Sequence, residues 1–212
     1  MRRQICAVLV LAAGGLRAAD RVWQAAGDGN WSDAANWVGG LLPGGSDWAI
    51  FSNALSGDAT VHMDSGTPLV AKISVNNPDN AAVRIFTGTQ ALRSNEVVKG
   101  RAELRGTWLS DYKGITGVGQ AAGQTAWLTL SGNAVFAATN QQGLYIGNAN
   151  NALGRVTVRD NARLSLSAVD TDLGLSVARN TGSVGSFVQE GGLVEAVGRF
   201  MPGYSGHGAY EL

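Results

Sequence analysis

Few side chains in this sequence are equipped for chemistry. Two histidines are present, His62 and His207, and Cys6 is the single cysteine. His207 sits between glycines in Gly206-His207-Gly208, and Asp170-Thr171-Asp172 lies upstream. Asp170, Asp172 and His207 are the groups from which acid–base chemistry could be built, although a lone imidazole with one Asp-x-Asp pair is a weak signal. His62 alternates with Val61 and Met63 and reads as a solvent-facing strand residue. Two histidines far apart, without a cysteine partner, do not make a zinc set. The acidic stretches Asp28 to Asp33 and Asp170 to Asp172 offer the oxygen ligands calcium takes, but neither has the spacing of a calcium loop, and aspartate is common in turns. Gly182-Ser183-Val184-Gly185 falls short of a nucleophile elbow, and the Gly114 to Gly119 turn precedes no helix that would cradle a phosphate. No catalytic residue, metal site or cofactor is therefore assigned.

Aromatic rings offer a different chemistry. Four of the six tryptophans, Trp23, Trp31, Trp37 and Trp48, fall close together near the N-terminus. Exposed, they would stack on sugar faces and form a glycan-binding site. Buried, they would close the end of a repeat array, whose first unit needs an apolar lid. Terminal repeats are usually atypical, which favours the lid.

The elements that position these groups follow from self-similarity. Ala126 to Phe136 lies position for position over Gly154 to Leu164 at an offset of 28, and further copies begin at Gly185, with a turn one residue shorter, and at Gly208. Between them a second strand recurs, Leu144-Tyr145-Ile146 over Leu175-Ser176-Val177, with Arg199-Phe200-Met201 in the same place. Apolar residues alternate, as in Leu128 and Leu130 or Val156 and Val158, and Gly, Asn and Asp punctuate the strands. Strands this short bury an apolar side only by stacking. The expected fold is all-β, a right-handed parallel β-helix, with a β-sandwich as the competing arrangement. Asn133 and Asn161 share a turn position and are expected to form a short amide ladder. Residues 65–125 carry similar strands, Leu69 to Val75 and Ala82 to Phe86 among them, at less regular spacing.

Composition supports a packed, exported rod. Thirty glycines in 212 residues with 45% hydrophobic residues exclude disorder and collagen, and 16 basic against 16 acidic groups give no basic face for nucleic acid. Met1-Arg2-Arg3, the apolar run from Ile5 to Leu16, and the small residues at Ala18-Ala19 read as a secretory signal cut after Ala18. Cleavage removes Cys6, so disulfides are not expected in the mature chain. The organisation is then a signal peptide at 1–18, a Trp-rich cap at 19–64, irregular β coils at 65–125 and β-helix repeats at 126–212.

The frame Val-Trp-Gln-Ala-Ala-Gly-Asp-Gly-Asn-Trp-Ser-Asp-Ala-Ala-Asn-Trp-Val-Gly-Gly at 22–40, followed by Gly/Asn-punctuated β repeats, resembles secreted bacterial proteins with autotransporter-associated β-strand repeats. The resemblance implies a Gram-negative secreted or cell-surface protein, of the kind that ends in an outer-membrane barrel or a PEP-CTERM sorting signal. Gly206-His207-Gly208 resembles one element of β-helical polygalacturonases, whose paired aspartates and basic motif have no counterpart here. The functional expectation is a non-enzymatic β-helical scaffold or adhesin that contacts extracellular polysaccharide or other surface proteins. The alternatives are a polysaccharide-degrading β-helix and a glycan-binding module built on the tryptophans. The last copy breaks off in mid-strand at Leu212, which predicts further coils beyond it.

Overall fold

The protein is seen in a computed structural model that describes residues 19–63, 70–77, 82–87, 89–91, 95–110, 115–138, 143–167 and 174–212. Residues 1–18, where a secretory signal is expected, and Asp170 and Asp172 lie outside them.

Parallel strands stack into a β-solenoid. Its first face runs through Asp20–Val22, Trp48–Phe51, Lys72–Asn76, Asn95–Leu104, Ile115–Val118, Gly143–Ile146, Leu175–Val177 and Phe200–Pro202. The second runs through Gly29–Asn30, Ala59–Met63, Ala82–Thr87, the same Asn95–Leu104 strand, Thr125–Leu130, Leu153–Val158, Val184–Gln189 and His207–Glu211. A third face, Thr89–Ala91, Thr107–Ser110, Val135–Ala138, Arg163–Ser167 and Leu193–Val197, closes the later coils into triangular turns. Every strand pairing in these ladders is parallel, which is what successive coils of one rod require and a β-sandwich does not provide.

Alternation fixes the register. Ala126, Leu128 and Leu130 point inward while Thr125, Trp127 and Thr129 point out, and Leu128 stacks on Val156 and then Phe187 in one apolar column. Phe136 lies between Trp108 and Leu164 on the third face. A slip of one residue would turn each column inside out, so the continuous core specifies the pairing. The ladders run without a break from Asp20 onward, so the first coils belong to the same rod as the later repeats.

Corners explain part of the glycine content. Where the first face turns into the second, Gly147, Ala178 and Gly203 occupy successive rungs with φ of 63°, 55° and 70°. The neighbouring column is Gly154, Gly185 and Gly208, and a Cβ built on Gly185 would stand 2.6 Å from the Ala178 nitrogen. The chain crosses itself too closely there for any side chain. The coil at 95–104 turns this corner within one strand, at Gly100 with φ 85°, and a bulge between Val75 and Asn76 precedes it. Both irregularities fall within the stretch 65–125, where the spacing of the sequence is uneven.

Candidate functional site

The Trp-rich frame folds into a lid. Trp23, Trp31 and Trp37 are 1%, 1% and 0% exposed, with ring centroids 5.2 Å apart for Trp23–Trp37 and 4.7 Å for Trp31–Trp37, both edge-to-face, above Phe51. The Trp37 indole N–H donates to the Trp31 carbonyl at 2.8 Å, and the Asn36 amide donates to the Asn30 carbonyl at 2.9 Å. A Cβ on Gly29 would lie 2.6 Å from the Asn36 amide nitrogen and 2.9 Å from the Trp23 ring, so the Gly-Asn-Trp…Asn-Trp spacing is a packing requirement. These three rings present no face to a sugar. Trp48 alone of the four is open, at 39% exposure, and the Lys72 ammonium lies 4.4 Å from its ring centroid.

The remaining candidates are dispersed. His207 opens the His207–Glu211 strand, exposed, in register with Val184. His62 points to solvent between buried Val61 and Met63. Asp28 accepts from the Thr60 N–H at 2.7 Å and Asp33 caps the 3-10 turn at Ala34–Asn36, so both act as backbone caps. Among the described residues no three His, Cys, Asp or Glu side chains converge on a metal position. Ser183 is buried and donates its hydroxyl to the Asn180 carbonyl at 2.6 Å, a turn clasp rather than a nucleophile.

Charge converges elsewhere, on the outer side of the second face. Register places Arg101, Trp127 and Arg155 on three successive rungs. Beside them runs Arg84, Glu103, Thr129 and Thr157, and Arg159 stands next along the Leu153–Val158 strand. They line a cleft of about 320 Å³ with Asp58 at its margin. Four guanidinium groups therefore meet two carboxylates, in a chain whose formal charges cancel.

Glu103 organises the centre. Its side chain is 7% exposed and accepts from Ser131 Oγ at 2.6 Å, Arg84 Nε at 2.9 Å, Arg105 Nε at 2.9 Å and Arg159 Nη2 at 3.2 Å. Burial opposes its ionisation, but the Ser131 hydroxyl and the Arg105 and Arg84 guanidinium groups outweigh it and hold the carboxyl at about 2. Arg84 also bonds Asp58. Arg101 lies against Trp127, 4.9 Å from the ring centroid, and among the described residues neither it nor Arg155 has an ion-pair partner. Among the described residues the Arg159 Nε–H, shielded from solvent, has no acceptor.

Such a surface suits an anionic chain lying across successive rungs, where it would meet the Arg101 guanidinium over the half-buried indole and then Arg155. Sequence reasoning centred on acids, histidines and the N-terminal tryptophans passed it over. The signal was present in the 28-residue alignment, which sets Trp127 over Arg155, but it lay in the outward positions of the repeat. Comparison with protein-family models, with curated proteins and with solved structures finds no match to this chain.

Proposed function

We propose that this chain is a non-enzymatic, exported β-solenoid scaffold of adhesin type, whose arginine- and tryptophan-lined flank contacts extracellular polysaccharide. The observation that carries the reading is Trp127, half-exposed in the cleft and bracketed on adjacent rungs by Arg101 and Arg155. An indole supplies a broad apolar face for a sugar ring, and charged forks at its edges fix orientation. The export pattern at the N-terminus and the resemblance to autotransporter-associated repeat proteins support a place outside the cell. The cleft carboxylates support a binding role over hydrolysis. Inverting or retaining cleavage needs one carboxylic acid protonated near neutrality, whereas the hydrogen bonds to Glu103 hold that group ionised.

The test is affinity electrophoresis of the mature chain, expected to begin at Ala19 in secreted material, through gels containing extracellular polysaccharides. Retardation of the wild type that disappears in Trp127→Ala and persists in Trp48→Ala is expected. Retardation lost only in Trp48→Ala would move the contact surface to the rim of the lid and refute the flank.

A further inference from the structure

Resting on the flank as the contact surface, the geometry points to its ligand class: we infer that the cleft takes an acidic polysaccharide of uronate type, its carboxylates paired by Arg101, whose guanidinium lies over the Trp127 ring, and by Arg155 one rung beyond that indole. The cleft already holds one carboxylate in the manner required. Glu103 is bound by guanidinium groups from three different segments, Arg84, Arg105 and Arg159, together with the Ser131 hydroxyl. That internal pairing satisfies Glu103 and, through Asp58, the rest of Arg84, while among the described residues Arg101 and Arg155 have no ion-pair partner.

Spacing favours a polymer over a small anion. Arg101 and Arg155 stand two rungs apart, about 9 to 10 Å at the usual separation of neighbouring strands, with the indole between them. A chain spanning successive rungs would reach both residues, whereas one small anion would engage both only by drawing their side chains together. A chain of carboxylated sugars running along the rod axis would meet the Arg101 guanidinium over the indole and then Arg155. Carboxylate is the matched group because the planar guanidinium pairs with it through two parallel hydrogen bonds. A neutral glycan would cover Trp127 and leave both forks without a counter-charge.

Binding of the full mature chain to four probes separates these possibilities: polygalacturonate, heparin, dextran and single-stranded DNA, each titrated at low and high sodium chloride. Polygalacturonate is expected to bind most tightly and to weaken at high salt, with dextran at least tenfold weaker. Arg155→Ala should lower polygalacturonate affinity about tenfold or more, from loss of a charge-assisted pair, and Arg155→Lys should recover part of it without the bidentate geometry. Circular dichroism of both variants should match the wild type. Equal, salt-insensitive binding of dextran that still requires Trp127 would overturn the acidic class while leaving the flank as a contact surface. Preference for heparin would overturn carboxylate in favour of sulfate, and preference for DNA would overturn a polysaccharide ligand. Binding indifferent to both Trp127→Ala and Arg155→Ala would overturn the flank itself.

Discussion

Two groups of tryptophans in one rod do opposite work. In the first turns, Trp23, Trp31 and Trp37 face one another and Phe51, with the Trp37 indole N–H donating to the Trp31 carbonyl. On the second face, Trp127 looks outward between Arg101 and Arg155. The backbone around both is parallel β-solenoid, so secondary structure does not make the difference. Each ring's task follows from its column: inward columns meet apolar neighbours and become core, outward columns meet whatever the adjacent rungs display. In this rod the dense run of aromatic residues closes the core, whereas the single outward ring lies in a charged column on the surface proposed for contact.

The largest test of this contrast is truncation of one ring from each region. Trp37→Ala removes a fully buried indole that touches two other tryptophans and Phe51, and should destabilise the fold by about 3–5 kcal/mol in urea unfolding. Trp127→Ala loses a half-buried ring and one cation–π contact and should cost about 1 kcal/mol. Equal losses would erase the distinction between lid and flank.

A smaller effect belongs to the flank alone. The folded-state pKa of Glu103 is depressed from 4.5 to about 2, so its contribution to stability is present above about 4.5 and is lost as pH falls toward 2. Stability measured across that window should decline for the wild type. In Glu103→Gln it should be lower by about 1–3 kcal/mol at neutral pH, with a flatter acid dependence. An acid profile unchanged by the substitution would show that Arg84, Arg105 and Arg159 are held in place by other groups.

The smallest change touches neither region. Ala178 has a left-handed backbone, φ 55°, at a corner where the adjacent rungs carry Gly147 and Gly203. Ala178→Gly relieves that strain and should stabilise by about 0.5–1 kcal/mol in thermal unfolding, leaving polysaccharide binding unchanged. A gain in stability with altered binding would mean that the corner and the flank are coupled, and that the two regions are not independent.

Much of the fold was legible wherever the coil length is constant. The alignment of Ala126 over Gly154 and of Leu144 over Leu175 is the observed register, and the turn before Leu193 is one residue shorter, as the third copy suggested. Asn161 Nδ2 reaches Asn133 Oδ1 at 3.5 Å, a long contact but the anticipated partner. Where a coil turns its corner inside one strand, as at Gly100, the spacing that reveals a repeat is compressed and only the pairing discloses it. The anticipated strand from Leu69 to Val75 is displaced to Lys72–Asn76, beside that bulge. The flank eluded the sequence for the same reason. Trp127 and Arg155 share a regular offset, whereas Arg101 and Arg84 join them through coils of unequal length. The frame from Trp23 to Trp37 was readable as a lid because Gly29 and Asn36 accompany the rings at positions that serve packing.

The most direct measurement is a tryptophan fluorescence titration with polygalacturonate on wild type, Trp127→Phe and Trp48→Phe. A saturable change is expected in the wild type, retained in Trp48→Phe and abolished in Trp127→Phe, where an aromatic ring persists but the reporting indole is gone. A change that survives in Trp127→Phe and vanishes in Trp48→Phe would place the ligand at the lid and contradict the flank as the contact surface.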